Sequence, residues 1–347
     1  MKVVIATVQV PFISGGAEVL STSLQQQLRV RGHEAEIVSI PFKWYPPERL
    51  LDCMLMARLM DLSEINGQPI DRVIALKYPA YYNDHPNKVC WLLHQHRQAY
   101  DLYGTRFSDL HDSEKGRRVA DEIRRWDESL LPSARAIYTI SRTVTERLRQ
   151  FNAIASETVY PPPKDPHLFR CDGYEDFILY PGRFDPMKRQ HLLVEALALT
   201  STPVKAVFIG NMAGPYGDQV LGRIRELGLE NRVTCLGVVD EATKLDLYAR
   251  CLGVYNGVYE EDYGYLTLEG FFACKPVVTH ADSGGPLEFV RDEANGFVTQ
   301  PEPAPLAAAL DHLFEDRALA ERMGREGTTT IAAQRVDWDY AISRLLQ

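Results

Sequence analysis

The sequence predicts an α/β protein of two domains, each built around a doubly wound parallel sheet. The chain has 347 residues, more than the roughly 250–300 residues at which a single hydrophobic core stops growing. Short β-branched runs alternate with helical patterns, which is typical of consecutive βαβ units. A proline-rich stretch at residues 160–166 (YPPPKDP) interrupts the alternation and indicates an interdomain linker.

Strands are predicted on both sides of the linker. In the first half they cover residues 3–8, 34–40, 72–76, 88–93 and 136–140; in the second half they cover 177–180, 204–209, 233–236, 253–255 and 276–279. Apolar residues at helical spacing fill the gaps, as in the stripe of Ala17, Leu20, Leu24 and Leu28 that Gly32 ends. We predict an N-terminal domain over residues 1–160 and a C-terminal domain over 161–330. A last helix within 331–347 could pack back on the N-terminal domain.

Composition narrows the classes of function. The net charge of −9 disfavours nucleic-acid binding, because phosphate contacts need clustered Lys and Arg. The N-terminus lacks the pattern of a secretory signal, and no apolar run approaches the ~20 residues that span a bilayer. The six cysteines are scattered without a Cys-x-x-Cys pair. They therefore predict reduced, mostly buried thiols in a cytoplasmic protein, with neither a disulfide framework nor a zinc site.

Ligands of doubly wound sheets bind where the strands end, so the loops after strands are the candidate sites. Gly15 and Gly16 precede the first predicted helix. Glycine lets the backbone approach a ligand, and a helix N-terminus favours anions. The pattern is neither G-x-G-x-x-G nor a P-loop, and a plain strand–helix turn is the alternative.

The loop after the first strand of the second domain carries two cations five positions apart, Arg183 and Lys188. Arginine offers a planar fork to phosphate oxygens and lysine offers a point charge. In an acidic chain this pair favours a bound polyanion. A solvated basic turn is the alternative for this motif taken alone.

A third loop places Glu261 before Gly264, and Glu269 one turn into a helix predicted to begin near Leu266. The first amides of that helix have no intrahelical partner, so a diphosphate could bind there. Carboxylates accept hydrogen bonds from vicinal hydroxyls, which suits Glu269 to one sugar and Glu261 to another. The alternative is that these acids only favour the helix dipole.

Taken together, these motifs resemble the retaining GT-B glycosyltransferases of family GT4. The E-x7-E motif runs from Glu261 to Glu269 and the GR-x4-K motif from Gly182 to Lys188. The glycine loop at residues 15–18 and the segments HADSGGPLEFV (280–290) and NGFV (295–298) are also similar to the family. The resemblance covers essentially the whole chain and implies two Rossmann-like domains that face a cleft.

The resemblance implies roles for the residues that carry charge or approach phosphate. Arg183 and Lys188 would bind the donor diphosphate and stabilise its charge as it leaves. Gly15 and Gly16 would approach the same phosphates from the first domain. Glu261 would accept hydrogen bonds from hydroxyls of the transferred sugar.

The resemblance also implies contacts to the remaining parts of the donor. Glu269 would bind the ribose, and backbone groups near Val238 and Val239 would hold the base. The amides that line the sugar and the phosphate would be those of Gly264, Tyr265 and Leu266.

His94 is the candidate from the first domain. In the family, a histidine at the end of the corresponding strand contacts the donor sugar near the reacting carbon. The family often shows His-x-Pro where this chain has His94-Gln95-His96, so both histidines are candidates and His94, the first after the strand, is favoured. A purely structural histidine is the alternative. No third ligand accompanies the pair, so no metal is predicted. Asp337, in a D-x-D sequence, is interpreted as a helix N-cap.

The implied reaction is transfer of a sugar, with retention, from a nucleoside-diphosphate donor to an acceptor hydroxyl, without metal or cofactor. The loop around Gly264 favours UDP, with glucose as the first sugar to consider, and biosynthesis of a polysaccharide or glycoconjugate. The acceptor is open among a glycan, a lipid-linked sugar and a small molecule. The basic helix at residues 115–131 could touch the inner membrane face, although its interleaved acids, Asp127 among them, favour a solvated face. The alternatives are a non-catalytic sugar-nucleotide-binding protein and a GT-B-like sugar-nucleotide epimerase.

Overall fold

The computed structural model describes residues 1–13 and 15–347. It divides into two compact units. Unit 1 comprises Met1–Lys164 together with Val336–Gln347, and unit 2 comprises Asp165–Arg335. The chain passes from unit 1 to unit 2 within the proline-rich segment, and each unit has its own hydrophobic core.

Unit 1 is built on a six-stranded parallel sheet with the order β2-β1-β5-β6-β7-β8. Its strands are β1 (Lys2–Gln9), β2 (Glu34–Pro41), β5 (Arg72–Ala75), β6 (Lys88–Leu92), β7 (Ala136–Thr139) and β8 (Glu157–Thr158), and a separate antiparallel hairpin pairs β3 (Glu64–Ile65) with β4 (Gln68–Pro69). Its first four helices are α1 (Gly16–Val30), α2 (Arg49–Leu59), α3 (Glu114–Leu130) and α4 (Arg142–Asn152). The central strands β5 and β6 are buried along their whole length, because helices cover parallel sheets on both faces.

Unit 2 repeats this plan with a six-stranded parallel sheet of order β11-β10-β9-β12-β13-β14. Its strands are β9 (Phe177–Pro181), β10 (Lys205–Ile209), β11 (Val233–Cys235), β12 (Gly253–Asn256), β13 (Val277–His280) and β14 (Gly296–Thr299). Its helices are α5 (Gln190–Leu199), α6 (Pro215–Glu226), α7 (Glu241–Arg250), α8 (Tyr265–Phe272), α9 (Pro303–Glu315) and α10 (Arg317–Ala333). The strand order reverses direction between β9 and β12, so the loops after these two strands flank the switch point where doubly wound sheets bind ligands.

The last helix, α11 (Trp338–Leu346), belongs to unit 1. Asp337 caps it by accepting a hydrogen bond from the amide of Tyr340 at 2.7 Å, as the N-cap interpretation requires. The buried ring of Trp338 meets that of Trp91 at 6.2 Å, nearly edge to face. At the other end, Arg72 donates to the carbonyl of Leu345 at 2.9 Å. Both ends of α11 are therefore held by the sheet of unit 1.

Helix α3 corrects one expectation from the charge pattern. Three of its four arginines pair with acids on the helix itself, as in the 3.0 Å contact of Arg124 with Asp121, and Arg117 donates to the carbonyl of His111. Asp127, expected on the solvated face, is instead fully buried. In the described part of the chain, none of the helices combines the length and the apolar character needed to cross a membrane.

The thiols also depart in part from expectation. Cys53, Cys90 and Cys251 are buried, whereas Cys171 is exposed. All the cysteines are free. The expectation of mostly buried thiols is therefore wrong for Cys171, which lies on the irregular segment before β9, and Cys235 and Cys274 are only half-buried.

Candidate functional site

A tight turn after β9 presents Arg183 and Lys188. Asp185 shapes the turn by accepting a hydrogen bond from the amide of Met187 at 2.9 Å, and the amide of Lys188 donates to the carbonyl of Asp185 at 2.8 Å. The hydroxyl of Tyr180 donates to the carbonyl of Lys188. The guanidinium of Arg183 is 58% exposed and approaches Asp185 only to 3.5 Å.

The ammonium of Lys188 forms no ion pair with any residue that the structure describes. It lies close to Gly182, since a Cβ built on that glycine would be 3.5 Å from the lysine nitrogen. Arg183 is held only by a long contact. The turn therefore offers two cations whose charge is available to an anion.

The loop after β12 holds Glu261 by its backbone. The amide of Glu261 donates to the carbonyl of Ser283 at 2.9 Å, and the amide of Gly285 donates to the carbonyl of Glu261 at 2.8 Å. The loop ends at Gly264, which caps α8 with a φ of 87°. A Cβ at this position would lie 2.8 Å from Pro286, so only glycine fits both the backbone conformation and the space.

Glu269 is held by two side chains of α7. One carboxylate oxygen accepts from Lys244 at 3.0 Å and the other from the hydroxyl of Tyr248 at 2.6 Å. The carboxylate is 14% exposed. Burial lowers the pKa of Lys244, but Glu269 and Glu241 outweigh burial and raise it above its ordinary value. Each oxygen of Glu269 keeps lone-pair capacity for a further hydroxyl, so the carboxylate is oriented before any ligand arrives.

The remaining candidates of unit 2 lie on the same sheet edge or at the start of α8. Val238 follows β11 and is 80% exposed, and Val239 beside it is half-buried. Leu266 packs partly against the core. The hydroxyl of Tyr265 is buried and has no hydrogen-bond partner among the residues that the structure describes.

Direct contacts join two of these loops. The amide of Tyr259, after β12, donates to the carbonyl of Met187, after β9, at 2.8 Å. Unit 2 therefore brings together the turn with Lys188 and the loop with Glu261. Gly15, Gly16 and His94 belong to the other unit.

In unit 1, Gly15 and Gly16 form the exposed N-terminus of α1. The amide of Gly15 donates to the carboxylate of Glu18 at 2.8 Å, which is half of a capping box. Glu18 therefore already occupies one amide of this helix end, and the amides that follow are the ones left for an anion.

The two histidines after β6 differ in their surroundings. The ring of His96 lies 4.9 Å from that of Tyr78, and burial lowers the pKa of His96 to about 3. Its Nε2 has no hydrogen-bond partner among the described residues. His94 is half-buried, with Nδ1 against the carbonyl of Gln95. Both histidines are half-buried, so the structure does not decide between them, and the preference for His94 stays a prediction.

A buried cluster supports the segment with these histidines. Asp127 accepts hydrogen bonds from Tyr81 at 2.9 Å, Tyr82 at 2.8 Å and Tyr100 at 2.7 Å. Burial raises the pKa of Asp127 to about 6, although these hydroxyls oppose the shift. The hydrogen-bond network continues from Tyr100 through Asn152, which contacts Tyr100 at 3.2 Å, to the side chain of Gln95.

Residues 170–330 match the sequence profile of the family described as "Glycosyl transferases group 1". This part, a little under half of the chain, is similar to the group 1 glycosyltransferases. An α-1,3/1,6-mannosyltransferase of Dictyostelium discoideum is 34% identical over 105 residues, which cover 30% of this chain and 25% of that protein. A D-inositol 3-phosphate glycosyltransferase of Nocardia farcinica is 30% identical over 182 residues, covering 50% and 40%. The chain thus spans about a quarter of the first of these curated relatives and two fifths of the second.

The whole chain also resembles a solved structure, that of the Anabaena protein HepE in complex with UDP-glucose. The TM-score is 0.73 at 20% identity, over 99% of this chain and 98% of HepE. This similarity confirms the predicted fold class, the GT-B fold of two Rossmann-like parallel-sheet domains.

The region that matches the family profile contains both charged motifs, from Arg183 to Glu269. Inside it, the structure adds residues that sequence reasoning missed. Lys244 and Tyr248 orient Glu269, and their spacing of four on one helix was the available signal. Arg189, directly after the GR-x4-K motif, is buried, which the sequence pattern did not indicate.

Proposed function

We propose that this chain is a retaining glycosyltransferase that moves a sugar from a nucleoside-diphosphate donor to an acceptor hydroxyl. The observation that carries the proposal is the joined pair of loops in unit 2. One presents the available cations Arg183 and Lys188, and the other leads into α8, whose carboxylate Glu269 is already oriented. The phosphates of one donor would bind the two cations, and hydroxyl groups of the same donor would bind the carboxylate.

Arg183 and Lys188 would bind the diphosphate, together with the free amides at the start of α8 from Gly264 to Leu266. Fixed cations and a helix N-terminus stabilise charge where the leaving group develops it. These groups supply the stabilisation that a metal ion gives in other transferases, so we propose a metal-independent reaction.

Glu269 would accept hydrogen bonds from the ribose, and Glu261 from the transferred sugar. Backbone groups at Val238 and Val239 would hold the base. HepE was crystallised with UDP-glucose, and this supports UDP as the nucleotide, with glucose as the first sugar to test.

For unit 1 we propose that Gly15 and Gly16 approach the donor phosphates and that His94 contacts the donor sugar. The acceptor is proposed only by class, as a hydroxyl of a glycan, a lipid-linked sugar or a small molecule in glycoconjugate biosynthesis. We place the enzyme in the cytoplasm. Contact with the inner membrane face draws little support from α3, because three of its four arginines are paired with acids.

Thermal shift against UDP, GDP, ADP and dTDP, with and without EDTA, tests the donor site. A ligand that binds only the folded state raises the melting temperature. We expect one nucleoside diphosphate to do so, with no effect of EDTA. Lys188→Ala should weaken its binding at least about tenfold, the usual loss for a charge-assisted hydrogen bond.

Lys205→Ala is the matched control, because Lys205 lies at the amino end of β10, at the opposite edge of the same sheet, and pairs with Asp176 at 2.9 Å. It should leave nucleotide binding unchanged. No shift with any nucleotide at millimolar concentration would overturn the proposal. Binding without turnover of the sugar donor would instead identify a sugar-nucleotide-binding protein.

A further inference from the structure

Arg189 occupies an unusual place directly after Lys188. Its φ of 54° lies in the left-handed region, which favours glycine. Its side chain is nevertheless buried and charged. We infer that Arg189, paired with Asp282, is a positioning residue that holds the Glu261 loop in the geometry that recognises the donor sugar. This inference rests on the function proposed above.

The guanidinium of Arg189 binds the loop after β12 directly. Its Nε donates to the carbonyl of Gly257 at 2.7 Å, and Nη2 donates to the carbonyl of Val258 at 3.0 Å. The guanidinium also lies 5.7 Å from the centre of the Tyr259 ring. One side chain thus fixes three successive residues that lead towards Glu261.

Asp282 completes the arrangement from the loop after β13. Its carboxylate accepts two hydrogen bonds from Arg189, at 2.8 and 2.9 Å. Its backbone carbonyl accepts from the amide of Glu260 at 2.9 Å, and the next carbonyl, of Ser283, accepts from Glu261. The residue that neutralises the buried arginine therefore also anchors the backbone beside Glu261.

The phosphate and ribose contacts also have supports that do not involve the Arg189 side chain. Lys188 is held through Asp185 and Tyr180, and Glu269 through α7. Loss of the Arg189 fork should therefore displace Glu261 while leaving the proposed nucleotide contacts in place. Lysine cannot replace the fork, because a single ammonium does not reproduce its planar set of donors.

The experiment measures the dissociation constants of the nucleoside diphosphate that binds and of its glucose ester, by titration calorimetry. It compares the wild type with Arg189→Lys and Asp282→Asn. We expect both variants to bind the free diphosphate within about threefold of the wild type. Their affinity for the glucose ester should fall at least about tenfold more than their affinity for the free diphosphate. Tenfold corresponds to one charge-assisted hydrogen-bond contact.

Arg232→Lys is the matched control. Arg232 also donates to several backbone carbonyls, among them Leu197 at 2.9 Å and Val204 at 2.7 Å. It precedes β11, at the amino-end edge of the sheet, away from the loops of the site. The variant should lower the melting temperature without changing the ratio of the two dissociation constants.

The outcomes separate the inference from the proposed function. If the wild type binds no nucleoside diphosphate, the proposed function is overturned and the inference with it. If the wild type binds the nucleoside diphosphate, and both variants keep the wild-type ratio of the two dissociation constants, only the inference is overturned. Arg232→Lys should keep that ratio in any case. Should Arg189→Lys fail to fold, the nearly isosteric Asp282→Asn decides alone.

Discussion

At the scale of single residues, the burial of Asp127 makes the free energy of unfolding depend on pH. Its pKa is raised to about 6 by burial, against about 3.9 in an unfolded chain. Between these values the folded protein binds more protons than the unfolded chain, so the free energy of unfolding falls as pH rises through this window. A shift of about two units corresponds to roughly 3 kcal/mol.

We predict that Asp127→Asn removes this dependence. The free energy of unfolding of the wild type, taken relative to the variant, should decrease by up to roughly 3 kcal/mol between pH 4 and pH 7, measured by urea denaturation. Asp121→Asn, on the exposed face of the same helix, is the control and should not show this trend. A difference that stays constant with pH would contradict the prediction.

Asp127 also shows what the charge pattern of a helix can and cannot predict. Acids interleaved with arginines along α3 favour a solvated face, and for Asp121 that holds, since its side chain is 68% exposed. The environment of Asp127 depends on tyrosines that come from β5–β6 connections and from the segment after β6, far away in sequence. The same is true of Glu269. The sequence showed the E-x7-E spacing, but it did not show that Lys244 and Tyr248 of α7 bind the carboxylate.

At the scale of elements, α11 follows unit 2 in the sequence but belongs to unit 1. Trp338, Ala341, Ile342 and Leu345 form its buried face. The sequence predicted a last helix that could pack back on the N-terminal domain, but not the side chains it meets there, because periodicity shows which face is buried and not what lies against it. Trp91, which receives Trp338, is buried in the middle of the sheet.

We predict that Trp338→Ala destabilises unit 1 by about 3–5 kcal/mol, because it leaves a cavity against Trp91. Asp339→Ala is the control on the next residue. Its carboxylate is 87% exposed and pairs only with Arg31 at the surface, so its loss should cost less than about 1 kcal/mol. Urea denaturation measures both. Equal losses for the two variants would show that α11 does not depend on its packed face.

At the scale of the whole molecule, the alternation of strands and helices predicted the fold class well. The interior strands of both sheets were visible as β-branched runs, within one or two residues of their observed bounds. The edge strands β8 and β14 and the hairpin of β3 and β4 were not among the predicted strands. β3, β4 and β8 have only two residues each and β14 has four, too short for a period-two pattern to stand out. The turn around Lys188 could be recognised in the sequence by its motif. The burial of Arg189 could not, because it depends on contacts with two other loops, those after β12 and β13.

Because each unit has its own core, we predict that the protein unfolds in two calorimetric transitions and that each responds to a different change. The nucleoside diphosphate that binds should raise chiefly the transition of unit 2, which supplies Arg183, Lys188 and Glu269, by about 2.7 kcal/mol at a hundred times its dissociation constant. Lys188→Ala, which weakens binding at least about tenfold, should reduce that shift to about 1.4 kcal/mol or less at the same ligand concentration. Trp338→Ala should lower only the other transition, because α11 belongs to unit 1. A single transition that moves with both changes would mean that the two cores unfold cooperatively, and would contradict the prediction.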